Sequence, residues 1–552
     1  MDKDTRQPNE LDILSEFPPP TWEEWKKTVE ETLKGAPYEK VMITKTYEGI
    51  DLQPIYRYED IKDLPHLNSL PGQPPFVRGN SAAGYLTNGW IIAQQQNQWN
   101  PSKANLILLD ELNRGLNSVN LKLNKHTRWA VIPPLEELES DGIWLNNLND
   151  VSILLNNVDL TAVPLFIDGG EAAIAILGLF NAYFEQMNIP PEHLSGFIGF
   201  DLFSSLVKDG ELPFSEDDRY LHIYQMSNWA IQNAPNIRTI LLDGAFWGNC
   251  GANAVQELAV AMSSAVEYIN ALQEKGLALD RIVPRFLLKL SLGSNLYMEI
   301  AKVRAARLLW SELMKAYNVP AEISKIWIHA VTTSFNKTMY DPYVNVLRTA
   351  TESFSGVIGG IDSLEVTPFD IRIKTDDEFS RRIARNQQLI LMEEAHLNKV
   401  TDPTGGCYYI EKLTAELAEQ AWAKMQLIEL QGGLFKAIKK GLIQSEINKT
   451  ANDKIQNANK RKDIFVGINM FANPLEQPLE NGSAECKCDL QDYYDKIVTY
   501  EDTERPELHK ILQKISDSRF DDNIIPLLSD AFINGAVLEE VFDLLIDDEE
   551  IL

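Results

Sequence analysis

Cysteine and histidine are scarce in this chain. Four cysteines are spread over 552 residues, so a disulfide framework is not expected. Cys486 and Cys488 are separated by a single residue, which is too short a spacing for a zinc ribbon. The seven histidines are scattered, and no two of them form the i, i+4 pair of a metalloprotease helix. The sequence therefore predicts no metal site.

Long apolar runs and positive charge are missing as well. No run approaches the roughly 20 residues that a membrane-spanning helix needs, and the first residues, MDKDTRQPNELD, lack the hydrophobic region of a signal peptide. Acidic residues outnumber basic ones by 80 to 51, which gives a net charge of -29. Because nucleic acids and anionic membranes bind clustered Lys and Arg, neither is expected as the main partner. We expect the cytoplasm as the location.

Common cofactor and nucleophile motifs are absent or incomplete. Neither a phosphate-binding Walker loop nor a dinucleotide-binding G-x-G-x-x-G occurs in the sequence. The stretch from Ser205 to Lys208 matches the S-x-x-K of acyl-serine enzymes. So short a pattern often arises by chance, and its partner motifs are missing. These patterns alone leave the class of reaction open.

The chain does contain a repeated alternation of apolar and helical segments. From about Val163 the apolar segments are VPLFID, GFIGFD, IRTILLD, PRFLLKLSL, IWIHAV and GVIGGIDSL, with helical stretches such as 171–187 and 297–317 between them. Earlier strands are expected near 142–154, and a last strand-like segment at 464–469. Continuous apolar strands that alternate with helices are typical of a buried parallel sheet. The number of repeats favours an α/β fold, the (β/α)8 TIM barrel, over an open sheet, and the bulky strands indicate a filled axis.

Changes in composition divide the chain into four parts. Residues 1–75 form an N-terminal arm with a helix at about 23–33, and residues 76–472 form the barrel. Residues 473–505 are rich in Pro, Glu and Gly, which indicates a linker. Residues 506–552 form a small, acidic, helical C-terminal segment.

One segment, from Arg381 to Glu411, is more informative than any other and reads RRIARNQQLILMEEAHLNKVTDPTGGCYYIE. An amphipathic helix is predicted here, because apolar residues recur at helical spacing. These residues are Phe379, Ile383, Ile390 and Leu397. Asp402 and Pro403, followed by two glycines, end the helix, since a residue before proline avoids helical angles. By itself such a helix and turn indicates scaffold rather than chemistry.

This segment resembles the barrel domain of the adenosylcobalamin-dependent acyl-CoA mutases, above all the methylmalonyl-CoA mutases. The family pattern is roughly ARN-x-Q-x-x-L-x-E-E-[SA]-x-x-x-x-V-x-DP-x-GG-x-YY-x-E-x-LT, and residues 384–414 follow it almost without a gap. The resemblance implies a barrel enzyme whose catalytic groups lie at the carboxyl ends of the strands.

Three motifs that carry catalysis in that family are changed here. The family's Tyr-His pair, which faces substrate and cofactor, is replaced by Ala245 and Phe246. A phenyl ring can neither donate nor accept the hydrogen bonds that polarise a thioester carbonyl. The family's G-T-I-Q reads GFIG and ends at Gly199, and a histidine of its GGTQSLHTN is replaced by Glu365, which would repel an anionic CoA ester. The resemblance therefore implies degenerate site positions at Phe246, Gly199 and Glu365.

Four other positions keep a residue of the family pattern. Arg78 and Tyr85 are similar to its T-R-G-x-x-x-x-x-Y-x-x-R-P-W, whose tyrosine is expected to shield the radical pair, although the second arginine is Asn88 here. Arg285 fits the family's R-L-S. His329 fits the start of its H-x-Q-T-[SA]-G-W, whose glutamine is lost, and a satisfied barrel histidine is the favoured interpretation of it.

The resemblance also implies a cofactor and a partner. In the family adenosylcobalamin is held by a separate domain whose D-x-H-x-x-G histidine binds cobalt, and no Asp-x-His occurs in this sequence. The N-terminal segments FPPPTWEEW, LKG and TYEGIDLQPIY are most similar to the small (beta) subunit of heterodimeric methylmalonyl-CoA mutase. We therefore expect adenosylcobalamin in a complex rather than on this chain alone. The expected partner is a cobalamin-binding large subunit, which handles the acyl-CoA substrate.

Three hypotheses follow. The first is a catalytically silent, small-subunit-like component that supports the isomerisation of methylmalonyl-CoA and succinyl-CoA by the large subunit. The second is a substrate-binding subunit of a split acyl-CoA mutase that works with a separate cobalamin protein. The third is a non-catalytic module that binds acyl-CoA. A retained scaffold with changed site positions favours the first.

Overall fold

The structure is a computed structural model. It describes residues 20–134, 141–210, 214–374, 377–476 and 505–546. The predicted linker, 473–505, lies outside these residues except at its two ends, and Cys486 and Cys488 lie outside them too. The chain divides into two compact units, one ending at Arg57 and the other beginning at Tyr58.

The first unit contains two helices and a β-hairpin. Helix α1, Trp22–Thr32, begins one residue before the predicted helix and is capped by Thr21. The side chain of Thr21 accepts a hydrogen bond from the Glu24 amide at 3.2 Å, and the Glu24 carboxylate accepts one from the Thr21 amide at 2.8 Å. This reciprocal cap satisfies two amides that a helix start leaves without partners. Helix α2 and the antiparallel strands β1 and β2 follow, with the bounds Tyr38–Val41, Thr44–Lys45 and Asp51–Leu52.

The second unit is built on one parallel sheet. Its strands are β3 Ile91–Ile92, β4 Gln95–Gln96, β5 Val119–Leu121, β6 Leu165–Asp168, β7 Gly196–Phe200, β8 Ile237–Asp243, β9 Phe286–Leu292, β10 Trp327–Thr332 and β11 Ser363–Glu365. Their order in the sheet is β3-β11-β10-β9-β8-β7-β6-β5-β4. The two outermost strands, β3 and β4, are separated in the chain by only two residues, so together they close the sheet into an eight-stranded barrel. The predicted α/β fold of the TIM-barrel type is confirmed.

Helices surround the barrel and follow its strands. They are α3 Pro101–Asn113, α4 Lys125–Trp129, α5 Leu148–Leu154, α6 Ala173–Gln186, α7 Leu202–Asp209, α8 Glu216–Asn233, α9 Gly244–Asn249, α10 Ala254–Glu274, α11 Leu279–Ile282, α12 Leu296–Ala316, α13 Val344–Gly359, α14 Glu378–Leu389, α15 Tyr408–Leu430, α16 Leu434–Lys439, α17 Leu442–Asn459, α18 Pro506–Ser518, α19 Ile525–Ile533 and α20 Leu538–Asp543. Within the described part of the chain, no helix combines the length and apolarity that crossing a bilayer requires.

Some predicted strands are wrong. Within the segment near 142–154, residues 148–154 form helix α5, because the Asn147 side chain accepts a hydrogen bond from the Asp150 amide at 3.1 Å and so caps a helix there. Ile143 makes only an isolated parallel bridge, with Leu123. The segment 464–469 makes a single isolated bridge, between Val466 and Met470. The apolar GVIGG belongs to the end of α13, where Gly360 takes the left-handed conformation with φ +85°. Only the last part of that predicted strand pairs, as β11.

The barrel axis is filled by an apolar layer. Phe166, Phe197, Leu241 and Leu287 are buried and pack together, and Ile91 and Trp327 pack against them. These six side chains come from six strands around the barrel, so they meet only in its interior. The layer confirms the prediction of a filled axis at this level of the barrel.

Helix α14 buries the face opposite to the predicted one. Arg381, Arg385 and Gln388 are buried, whereas Phe379 and Ile390 of the apolar stripe are 47% and 48% exposed. The buried guanidinium groups point to Glu111 of α3, with 3.3 Å from Arg381 Nε and 3.8 Å from Arg385 Nη1 to its Oε1. Ion pairing, which hydrophobic periodicity does not report, therefore orients this helix.

Candidate functional site

A layer of charged side chains lies at the carboxyl ends of the strands. Asp168, Asp243 and Glu365 are the last residues of β6, β8 and β11. Lys289 of β9 is paired in register with Asp243 on one side and with His329 of β10 on the other. Such strand ends carry catalytic groups in barrel enzymes.

The charges in this layer neutralise one another. Each carboxylate has a partner within reach: Arg128 Nη2 is 3.2 Å from Asp168 Oδ1, Lys208 Nζ is 3.4 Å from Asp243 Oδ2, and His329 Nε2 is 3.7 Å from Glu365 Oε2. Asn120 of β5 also donates a hydrogen bond to Glu365 Oε2 at 3.0 Å. Partnered charges of this kind hold the mouth of the barrel together through their own contacts.

Lys289 stands among the carboxylates and is kept charged by them. Burial by itself lowers the pKa of its ammonium group, but the nearby Asp243, Glu365 and Asp168 raise that pKa above the ordinary value. Burial likewise raises the pKa of Asp243, yet Lys208 and Lys289 bring it below its usual range. Both groups are therefore ionised at neutral pH.

His329 is buried and committed on both ring nitrogens. Its Nδ1 lies 2.9 Å from the Ser363 hydroxyl, its Nε2 faces Glu365, and its ring stacks on Phe166 with 5.7 Å between centroids. Burial lowers the pKa of this imidazole, with the Glu365 carboxylate opposing the shift. Burial raises the pKa of Glu365 itself, but the contacts with His329 and Lys289 hold it below the usual value. The pair is thus a neutral imidazole beside a carboxylate.

Phe246 lies at the start of α9, directly after β8. Its amide donates a hydrogen bond to Asp243 Oδ1 at 3.0 Å, which caps the helix. The ammonium group of Lys208 lies 4.7 Å from the centroid of its ring, within the range of a cation–π contact. The phenyl ring therefore packs against the charged layer and offers it no hydrogen-bonding group.

Gly199 lies where β7 and β8 approach unusually closely. The register between these strands shifts between Phe197 and Phe200. A Cβ atom added at Gly199 would lie 2.1 Å from the Thr239 carbonyl oxygen and 3.0 Å from the ring of Phe197. The backbone here leaves no room for a side chain. The loss of the family's glutamine is therefore accompanied by a close approach of the β7 and β8 backbones.

Arg285 is placed at the opposite, amino end of the barrel. Its guanidinium group donates hydrogen bonds to the carbonyl oxygens of Ile237 at 2.6 Å and Pro235 at 2.5 Å. Burial, together with the neighbouring Arg238 and Arg281, lowers its pKa to about 10. The structure does not bring Arg285 together with Phe246, Gly199, Glu365 and His329.

Arg78 belongs to a buried ionic cluster on the family-like segment. Its Nη1 lies 2.7 Å from Asp402 and its Nη2 lies 3.2 Å from Glu411. Arg304 also binds both carboxylates, and His66 contacts Glu411 at 3.1 Å. Burial raises the pKa of Glu411, but His66 and the two arginines lower it to about 2. The DP-x-GG and final Glu of the motif are therefore structural anchors.

A pocket of about 490 Å³ opens at the amino ends of the strands. Its described lining includes Arg78, Asn80, Tyr85, Trp327 and Asp362. The Tyr85 hydroxyl donates a hydrogen bond to the Ile361 carbonyl oxygen at 2.5 Å, and burial raises its pKa above the ordinary value. Arg78 and Tyr85 thus share this pocket, on the other side of the apolar layer from His329 and Glu365.

The charged layer does not fit a metal centre. The described residues contain no group of three or more His, Cys, Asp and Glu side chains arranged to hold a metal ion. His329 is the barrel-strand histidine at this level, and both of its nitrogens face protein partners. A histidine that ligates cobalt needs one free, accessible nitrogen. These described side chains therefore supply no ligand for cobalt.

Comparison with known proteins agrees with the barrel and its motifs. The sequence profile of methylmalonyl-CoA mutase matches residues 45–550. The chain belongs to the methylmalonyl-CoA mutase family. The family resemblance seen in the sequence is thereby confirmed over almost the whole chain.

Relatives include both subunit-type and single-chain proteins. The methylmalonyl-CoA mutase small subunit of Porphyromonas gingivalis is 35% identical over 86% of this chain and 74% of its own length. That of Streptomyces virginiae is 31% identical over the same shares. The methylmalonyl-CoA mutase of Rhizobium meliloti is 31% identical over 83% of this chain and 65% of its own length. The chain thus spans less than two thirds of the longer mutase.

The charged layer of this family member was missed by the sequence analysis. A signal was present, because Asp168 and Asp243 each close an apolar strand, in LFID and IRTILLD, where barrel enzymes place functional groups. Lys289 carried a signal too, as the one charge inside the apolar stretch FLLKLSL. The partners Arg128 and Lys208 come from other segments, and only the fold brings them in.

Proposed function

We propose that this chain is a small-subunit-like, catalytically silent component of a methylmalonyl-CoA mutase. In this proposal a cobalamin-binding large subunit carries out the isomerisation of methylmalonyl-CoA and succinyl-CoA, and this chain supports it as the second barrel of a heterodimer. Adenosylcobalamin then belongs to the complex and is held by the partner. Membership of the mutase family and two relatives named as small subunits support this assignment.

The observation that carries the proposal is the occupied barrel axis. An apolar layer that includes Phe166 and Leu287 fills the interior, and the charges above it, among them Asp243 and Glu365, are paired with this chain's own side chains. A substrate on the axis would have to displace both layers. Breaking a buried, hydrogen-bonded charge pair costs about 3–5 kcal/mol. Such a cost opposes substrate binding along the axis.

Turnover measurements on the separated and combined subunits test the proposal. The isolated chain with added adenosylcobalamin and methylmalonyl-CoA is expected to form no succinyl-CoA. The large subunit with this chain is expected to be active, and to lose activity when this chain is omitted. Restoring polar groups with Phe246→His should leave the isolated chain inactive. Measurable turnover by the unmodified isolated chain would refute the proposal.

The amino-end pocket favours a second candidate, a module that binds acyl-CoA without converting it. Its volume of about 490 Å³ is in the range of small-molecule sites. Against this candidate, Arg78 is the cation among the described lining residues, and its three nitrogens bind Asp402, Leu67 and Ser69. Phosphate groups prefer available Lys and Arg. Titration of the isolated chain with methylmalonyl-CoA in a calorimeter separates the two, since the first candidate predicts no heat of binding.

A further inference from the structure

Ten large apolar side chains are exposed in three segments: the loop and helix start after β10, the start of α14 after β11, and residues 464–475. We call this set the rim patch. Its members are Met339, Tyr340, Tyr343, Leu347, Phe379, Ile464, Val466, Ile468, Phe471 and Leu475. The most exposed are Leu475 at 83% and Phe471 at 78%. Single exposed apolar residues are ordinary on a protein surface, but a concentration of them needs a reason.

The three segments are joined by direct contacts. Arg348 Nη2 donates a hydrogen bond to the Val466 carbonyl oxygen at 2.6 Å, which links the start of α13 to the segment after α17. Gln387 Nε2 of α14 donates to the Val346 carbonyl oxygen at 3.1 Å. The rings of Tyr343 and Phe379 both pack on Phe369, with centroids 5.3 and 6.1 Å away. The rim patch is therefore one surface.

The segment that carries Met339, Tyr340, Tyr343 and Leu347 is held firmly. Lys337 and Glu352 form a fully buried ion pair at 2.7 Å, and Asn336 donates to the same carboxylate at 2.7 Å. Asn345 donates to the carbonyl oxygens of Thr338 at 2.9 Å and Phe369 at 2.8 Å. A surface fixed before binding loses less conformational entropy on association. The rim patch is thus preorganised, as an interface is.

Charge distinguishes a second copy of this chain from a different protein as the occupant. Leaving out the buried Arg381 and Arg385, residues 338–348, 372–394 and 460–476 carry seven basic and eight acidic residues, whereas the whole chain carries a net charge of -29. The patch is therefore a nearly neutral surface on an acidic protein. Two copies would still bring together two chains of -29 each, and their repulsion opposes self-association. A less acidic partner avoids that repulsion.

We infer that the rim patch is the docking surface for a different protein chain with an apolar contact face, the cobalamin-binding large subunit. This inference rests on the proposed function and adds the location of the contact. Tyr340 and Leu347, 63% and 66% exposed, are the expected anchors, because central aromatic and apolar side chains dominate the energy of protein interfaces.

Binding of purified large subunit to the full chain tests this inference, with affinity measured by calorimetry. The variants Tyr340→Asp and Leu347→Asp are each expected to bind about thirty-fold more weakly, the loss typical of an interface hot spot. Leu430→Asp is the matched control, since Leu430 of α15 is 83% exposed and lies outside the rim patch. It should bind like the unmodified chain. Far-ultraviolet circular dichroism verifies that all three variants are folded.

The outcomes separate the inference from the proposed function. Normal affinity in both rim variants, with the unmodified chain binding, would overturn the inference and leave the proposed function standing. Failure of the unmodified chain to bind the large subunit would overturn both. A stable homodimer seen by light scattering, and dissociated by Leu347→Asp, would assign the patch to a second copy and overturn the inference.

Discussion

At the changed positions of the mutase site, the residues of this chain contact neighbouring groups and leave no gap. Phe246 packs under the Lys208 ammonium group, Glu365 faces His329, and the backbone at Gly199 is closed off by the Thr239 carbonyl oxygen. A single reverse substitution therefore meets an established neighbour. Restoring the family residue at one position is not expected to restore the family's geometry.

Gly199→Ala tests how tightly the strand is closed. We expect it to lower the free energy of unfolding by about 3 kcal/mol, because the added Cβ would lie 2.1 Å from the Thr239 carbonyl oxygen and the strands must shift. Urea unfolding followed by circular dichroism measures the change. Gly276→Ala is the control, with a left-handed φ of +93° but no heavy atom within 4 Å of the new Cβ. Its expected cost is about 1 kcal/mol, and equal costs at the two sites would contradict the steric explanation.

Helix α14 shows how an element of this fold is oriented by charge. Its buried face carries Arg381, Arg385 and Gln388, and Gln388 accepts a hydrogen bond from the Trp90 indole at 3.3 Å. Arg381 also donates to Gln96 of β4 at 3.1 Å. The residues that most resemble the family pattern thus tie this helix to β3, β4 and α3. They act as scaffold, as the sequence of the segment by itself indicates.

Glu111→Ala tests this ionic docking. Removal of the carboxylate leaves two buried guanidinium groups without their shared partner, so we expect a loss of about 3–5 kcal/mol in the free energy of unfolding. A fall in the thermal unfolding midpoint measures it. On the same helical stretch, Ile390→Ala removes a side chain that is 48% exposed and should cost no more than about 0.5 kcal/mol. If Ile390→Ala lowered the free energy of unfolding more than Glu111→Ala, the helix would be held by its apolar face, as the sequence predicts, and not by ion pairs.

In the whole molecule the C-terminal helices are part of the barrel unit. Leu528 of α19 is fully buried against Gly178 of α6, and the Ser529 hydroxyl donates a hydrogen bond to the Gly178 carbonyl oxygen at 3.1 Å. Phe542 of α20 packs edge-on to Phe214 with 5.2 Å between centroids. The described part of this acidic segment, residues 505–546, is therefore packed against the barrel unit.

Leu528→Ala is expected to destabilise the whole unit. A buried leucine truncated to alanine costs about 2–5 kcal/mol, and the small residue Gly178 cannot fill the cavity. Differential scanning calorimetry should show one unfolding transition that moves to lower temperature. Ile533→Ala on the same helix removes a side chain that is 47% exposed and is the control, with little change expected. A separate, early transition for residues 505–546 would show instead that these helices fold independently.

Strands of continuous apolar sequence were predictable, and short polar ones were not. IRTILLD was predicted as 237–243 and forms β8 with those bounds, because every second side chain faces the helices and the rest face a filled axis. Strands β3 and β4 have two residues each, and β4 consists of Gln95 and Gln96. Two residues are too few to show the alternation of apolar and polar side chains by which a strand is recognised. They pair only because the sheet has to close.

The sequence by itself determined the family, the barrel class and the identity of the changed side chains, because these follow from local patterns of apolar, glycine and proline residues. The tertiary structure alone decided which charges meet. Arg78 and Asp402 are 324 positions apart, and Asn120 and Glu365 are 245 apart, yet each pair is in hydrogen-bonding contact. Such contacts depend on how eight strands close into one ring, and no local pattern along the chain encodes that closure.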